Sequence, residues 1–137
     1  MRSFIDTNVL VYADSGDEPA RQARALALLA EHRRQGTGVL STQVLQEFAN
    51  VALRKLRLPP ALVRERLGFY ARFEVVAARP ALIADALDLH ALRGVSLDDA
   101  LIVQAAITAG CAQLLSEDMQ DGAVFSGVRI VNPFAVA

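Results

Sequence analysis

Residues 97–118 read LDDALIVQAAITAGCAQLLSED. The segment 97–109 is the most apolar in the chain, and Gly110 closes it, so it reads as a buried helix. Gln113-Leu114-Leu115 then forms a short strand that runs into Ser116-Glu117-Asp118. Two acids, Asp98 and Asp99, open the helix, and another closes the strand. The uncharged run 100–116 holds Gln104, Thr108, Gly110 and Gln113. It falls short of the roughly 18 apolar residues that a membrane span needs.

Working outward, the same alternation recurs. Ser3-Phe4-Ile5 is an apolar strand that stops abruptly at Asp6, and Asp6-Thr7 caps a short helix through about Tyr12. Pro19 opens a helix to about Arg34, with Ala23, Leu26, Ala27 and Ala30 on one face and Leu29 beside it. Val39-Leu40 is a second strand, stopped by Ser41-Thr42. A helix over about 43–57 follows, with Val44, Leu45, Phe48, Val51, Ala52 and Leu56 at helical spacing. Pro59-Pro60 breaks it and starts another helix to about Ala71. Glu74-Val75-Val76 reads as a strand, residues 80–93 as a helix ended by Gly94, and Val128-Arg129-Ile130-Val131 as the last strand. Strands alternating with helices imply an α/β sandwich with a mostly parallel sheet. There is no repeat, low-complexity tract or long linker, so residues 1–137 are expected to form one domain.

The chain has 137 residues, 53% of them hydrophobic and 21% charged. That composition belongs to a compact folded protein rather than a disordered one. One cysteine, Cys111, cannot form an internal disulfide, and with His32 and His90 it lacks zinc-site spacing. No long apolar stretch precedes the first acid, so the N-terminus is not a signal peptide and a cytoplasmic location is expected. The net charge of −1 conceals an asymmetry. Residues 50–80 carry seven bases and two acids, a balance of +5, whereas residues 81–137 carry two bases and seven acids, a balance of −5. A basic surface beside an acidic pocket suits an enzyme that holds a polyanion near cations.

The positions of the acids matter more than their number. In open parallel sheets, ligands bind beyond the carboxyl ends of the strands. Asp6 directly follows one strand and Asp118 comes three residues after another. Glu47 lies early in the helix after a third strand, and Asp99 sits in the first turn of the buried helix. Carboxylates that converge from four segments repel one another unless protonated, paired with bases or neutralised by a cation. No base is close in sequence to Asp6, Asp99 or Asp118. Oxygen donors without thiol or imidazole favour Mg2+ or Mn2+, whose chemistry is phosphodiester hydrolysis. Thr7, Asn8 and Ser116 flank these acids and suit orientation of the ligands. Asp98 and Asp121 are weaker candidates, for which capping or solvent exposure serves equally well. Each principal acid has a plain structural role as well: a helix cap for Asp6, a Ser96-based capping box for Asp99, a solvated helix face for Glu47 and a turn for Asp118.

Three segments resemble one known family. FIDTNVLVYA at 4–13 looks like the opening of PIN-domain proteins, especially VapC-like toxin ribonucleases of bacterial toxin–antitoxin pairs. STQVLQEFANV at 41–51 is similar to that family's second acidic motif, and DALIVQAAITAGCAQLLSEDMQDG at 99–122 to its third and fourth. The resemblance implies a three-layer sandwich with a short, mostly parallel sheet flanked by helices. It implies acidic roles for Asp6, Glu47, Asp99 and Asp118, with Mg2+ or Mn2+ as cofactor and RNA as substrate. It also implies a homodimer and an antitoxin partner that blocks the active site. One departure is Asp98, where related sequences often carry an aromatic residue. The alternatives are a non-catalytic binding module on the same fold and a housekeeping RNA-processing nuclease. A receiver-like phosphoacceptor is disfavoured because the only lysine, Lys55, lies in a mid-chain helix. Arg54, Lys55 and Arg57, placed by this reading at the end of the Glu47 helix, are the candidate RNA contacts.

Overall fold

A computed structural model describes residues 1–135. Its strands are β1 (Ser3–Ile5), β2 (Gly38–Ser41), β3 (Glu74–Val76), β4 (Gln113–Leu115), β5 (Val124–Phe125) and β6 (Val128–Val131). Its helices are α1 (Thr7–Ala13), α2 (Pro19–Gln35), α3 (Thr42–Arg54), α4 (Pro60–Tyr70), α5 (Pro80–Arg93) and α6 (Leu97–Thr108). The sheet order is β3-β2-β1-β4-β6-β5, parallel throughout except for the β5–β6 pair.

That order fixes the layers. The chain steps from β1 to β2 to β3 in one direction, then returns past β1 to lay down β4. Crossovers between parallel strands are right-handed, so α1–α4 fall on one face and α5–α6 on the other. The packing agrees: α1 contacts α2 and α3, α3 contacts α4, and α5 packs on α6. The reversal makes the gap between β1 and β4 a topological switch point, the place in an open α/β sheet where a crevice opens at the carboxyl ends.

Burial explains the elements. Phe4, Ile5, Val39, Leu40, Leu114 and Ile130 are wholly or almost wholly enclosed, as expected for strands covered on both faces. From α6, Ala100, Ile102, Val103, Ala105 and Ala106 are buried. Its N-cap is Ser96, whose hydroxyl accepts from the Asp99 N–H at 3.1 Å. At Gly38 an added Cβ would meet the Phe73 ring at 2.6 Å, so only glycine lets β2 lie against that ring.

Three expectations need correction. The core-facing residues of α2 are Ala25, Leu28 and Leu29; Ala23, Ala27 and Ala30 are exposed and Leu26 is 51% exposed. Apolar residues lie all around this helix, so the stripe is chosen by its tertiary partners, α1 and β2. Second, α3 ends at Arg54, not at Arg57. Pro59 disfavours helical backbone at Leu58, and the chain closes with Arg57 in the left-handed region at φ 56 and a Leu58 N–H to Ala52 C=O bond. Third, β5 was not anticipated. It pairs with β6 through a two-residue turn in which Ser126 and Gly127 both have positive φ, the signature of a type I′ hairpin.

Candidate active site

The acids gather at the carboxyl edge around the β1–β4 gap. β1 delivers Asp6, and β4 delivers Ser116 beside it, because Ile5 is in register with Leu115. The Asp6 N–H binds the Leu115 carbonyl at 3.0 Å. The Ser116 hydroxyl donates to Asp6 Oδ2 at 2.7 Å, and the Thr7 N–H donates to Oδ1 at 2.7 Å. Asp6 therefore caps α1 with one oxygen while the other is held by Ser116, so the structural role read from the sequence is present. Ser116 Oγ also accepts from the Asp118 N–H at 3.3 Å, which ties Asp118 to the same hydroxyl.

Glu47 approaches from α3. Its carboxylate accepts from Thr7 Oγ1 at 2.7 Å and from Gln43 Nε2 at 3.0 Å. Gln43 was not singled out from the sequence, although its place four residues before Glu47 puts both on one helix face. The Gln43 amide also donates to the Asp98 carbonyl at 3.2 Å, which links α3 to the head of α6. Asp99 is partly covered in that first turn, whereas the neighbouring Asp98 is exposed. Asp121 lies apart: its carboxylate accepts from the Asn132 N–H at 2.9 Å and so ties the loop after β4 to the end of β6.

Electrostatics mark the cluster. Asp6 is 7% exposed, and burial pushes its carboxyl up to about 6. The Ser116 and Thr7 hydrogen bonds oppose that rise, and the charges of Glu47 and Asp118 add to it. Asp99 is also raised, first by burial and then by Asp118, Asp98 and Glu47, against the Ser96 hydrogen bond. Among the described residues, no Lys, Arg or His forms an ion pair with Asp6, Glu47, Asp99 or Asp118.

An open groove of about 810 Å³ runs from this edge between α1 and α3. Its charged lining comprises Asp17, Glu18, Glu47, Glu117 and Asp118 together with Arg54 and Lys55; Asp6 and Asp99 lie outside it. Arg57 is exposed and outside the lining. Asn8 lines the groove too, and both polar atoms of its amide are buried without a hydrogen-bond partner. As the side chains lie, no three His, Cys, Asp or Glu among the described residues are close enough to ligate one ion. The donor chemistry nevertheless fits a hard divalent cation: carboxylate oxygens only, no base to neutralise them, and an unpartnered buried amide alongside.

The model of the PIN domain family matches residues 3–120. The chain belongs to the PIN domain family. Among curated protein sequences, none matches it. Solved structures share the fold of this PIN-domain protein. A toxin–antitoxin complex from Klebsiella pneumoniae superposes with a TM-score of 0.71 at 21% identity, covering 98% of this chain and 99% of that one. VapC20 of Mycobacterium tuberculosis, described as a sarcin–ricin loop cleaving toxin, gives 0.69 at 18% identity, covering 85% and 91%. VapBC2 of Rickettsia felis, bound to a fragment of its promoter DNA, gives 0.67 at 18% identity, covering 95% and 97%. Among the described residues, no helix is long and apolar enough to cross a membrane.

Proposed function

We propose that this PIN-domain protein is a ribonuclease dependent on Mg2+ or Mn2+, and the toxin of a toxin–antitoxin pair acting in the cytoplasm. What supports it is the placement of Asp6, Glu47, Asp99 and Asp118, from four chain segments, around the carboxyl edge at the β1–β4 switch point, with no Lys, Arg or His paired to them among the described residues. Such charge density is tolerable when a cation occupies the site.

Asp6, Glu47, Asp99 and Asp118 would hold the cation, with modest rotation of the more exposed side chains. A divalent ion there supplies Lewis acidity toward phosphate oxygens and water. The protein's own part is orientation. Ser116 and the Thr7 N–H fix the Asp6 carboxylate, Thr7 Oγ1 and Gln43 fix Glu47, and the groove aligns the RNA strand. The test is cleavage of RNA by the purified chain. Excess chelator should stop it and added Mg2+ or Mn2+ restore it; cleavage that survives chelation unchanged would exclude this mechanism.

Arg54 and Lys55 are the proposed phosphate contacts. They stand about two turns along α3 from Glu47, roughly 10 Å away. Replacing both with alanine should weaken RNA binding across sequences and flatten the dependence of log affinity on log salt by roughly one unit per lost phosphate contact. The check is affinity against salt in an Asp6→Asn background, and equal slopes would take this end of the groove out of the RNA path.

The partners follow the same reading. The Klebsiella pneumoniae neighbour is a toxin–antitoxin complex, which supports an antitoxin as partner. A cognate antitoxin would place a basic side chain, an arginine by preference, among the carboxylates and compete with the cation. A homodimer would cover apolar side chains left exposed on α5, such as Ile83 and Leu87. Light scattering that finds only monomer at high micromolar concentration would refute the dimer.

A further inference from the structure

The loop after β4 carries two residues of the site, Ser116 and Asp118, yet its own backbone is sparsely tied. Among the described residues, none of the N–H groups from Glu117 to Asp121 bonds to a backbone carbonyl. A sparsely bonded segment of this kind opens easily. Besides the Asp118 N–H bond to Ser116 Oγ and the Asp121 bond to Asn132, what holds it is the residue between the two, Glu117. One carboxylate oxygen accepts from the Tyr12 hydroxyl at 2.6 Å, and the other accepts from Arg21 Nε at 2.9 Å. Tyr12 is on α1 and Arg21 on α2. The Arg21 guanidinium also lies 5.6 Å from the centre of the Tyr12 ring and 3.4 Å from Glu18. The Tyr12 ring packs edge-on against Phe134, with ring centres 5.0 Å apart. Two helices, α1 and α2, thus grip one carboxylate on the groove wall.

The grip has two consequences. It holds the Glu117 backbone where Ser116 reaches Asp6 and the Asp118 N–H reaches Ser116. It also engages both Glu117 oxygens, with Tyr12 and Arg21, so that this carboxylate is not a fifth, mobile competitor for the cation. Arg21 is outside the groove lining and touches none of the four acids.

We propose that Arg21 is a positioning residue that, through Glu117, sets the loop 116–118 so that Asp6 and Asp118 bind the cation together. The inference rests on the cation-dependent reading above. It makes a prediction of distinctive sign. By charge alone, removing a cationic side chain near an acidic site strengthens cation binding. Removing a positioning group weakens it, and loss of an outer hydrogen bond of this kind costs metal affinity about tenfold or more.

The experiment is calorimetric titration of the full-length protein with Mn2+, without RNA. Arg21→Ala should weaken Mn2+ binding about tenfold, while the metal-free protein melts within about 2 °C of the original. Arg21→Lys should recover most of the affinity. Tyr12→Phe, which keeps the ring and removes only the hydroxyl, should weaken binding in the same direction but by less than Arg21→Ala, because Arg21 still holds the other Glu117 oxygen. In a Glu117→Gln background, Arg21→Ala should have little further effect. Unchanged or tighter Mn2+ binding in both Arg21→Ala and Tyr12→Phe would overturn the role of Arg21 while leaving the cation site intact. A wild-type chain that binds no Mn2+ would instead overturn the cation-dependent reading, and this inference with it.

Discussion

Replacing Asp6 with asparagine is expected to cost at least about a hundredfold in RNA cleavage while making the metal-free protein more stable at neutral pH. The activity loss follows because a neutral amide is a poor ligand for a hard cation, and the cation's charge stabilisation amounts to several kcal/mol. The stability gain follows from the carboxyl group's own environment. Its folded-state value, about 6, lies above the 3.8 usual for an aspartate. An acid raised on folding favours the native state when protonated. That contribution is complete below about 3.8 and is lost as pH rises through about 6. Above that range the buried charge costs up to about 3 kcal/mol, at 1.36 kcal/mol for each unit. Asparagine removes the cost but cannot accept from both Ser116 and the Thr7 N–H as a carboxylate does, which returns about 1 kcal/mol. A net gain of about 1–2 kcal/mol raises the melting temperature by about 3–8 °C. Thermal melts in chelator from pH 4 to pH 8 should show the variant ahead at pH 8 and level with or behind the original near pH 4. A variant that is never more stable would mean that Asp6 is not buried as an uncompensated charge.

The second large effect is that of the cation on stability. A ligand that binds only the native site stabilises by about 2.7 kcal/mol at a hundred times its dissociation constant. For a chain of this size the melting temperature then rises by about 8–12 °C. The rise should shrink below pH 6, where Asp6 holds its proton and the ion must displace it. It should be small or absent in Asp6→Asn. Melts at fixed Mn2+ concentration between pH 5 and pH 8 measure this. An increase independent of pH, and equal in Asp6→Asn, would show that the ion binds elsewhere.

Much of this was legible in the sequence because local and tertiary demands coincide. An apolar run that meets Asp6 abruptly marks both the end of β1 and the carboxyl edge of the sheet. Ser96, Leu97 and the acids after them signal the start of α6, and the same turn presents Asp99. Thr7, Asn8 and Ser116 were legible as neighbours of acids, although their particular bonds were not: the Thr7 hydroxyl reaches Glu47, 40 positions away. Where local signals compete or fall silent, the reading failed. Alanine and leucine surround α2, so periodicity alone could not choose its inner face. The apolar pattern that begins in α3 continues to Leu56, beyond the last helical residue Arg54, and Pro59 decides the helix end. The strand β5 is two residues long, too short for any alternation, and only the Ser126-Gly127 pair hinted at a hairpin. Glu117 was hidden for a different reason: its partners Tyr12 and Arg21 lie 105 and 96 positions away, and nothing nearby in sequence points to them.

The central claim is that Asp6, Glu47, Asp99 and Asp118 form one cation site. The most direct test is anomalous diffraction from a crystal of the protein soaked in Mn2+. The account predicts a peak at the carboxyl edge between β1 and β4, with Asp6 and at least two of the other three acids at the 2.0–2.2 Å or so usual for small hard cations. A soaked crystal with no ion among these carboxylates, or with Mn2+ bound only elsewhere on the protein, would contradict it.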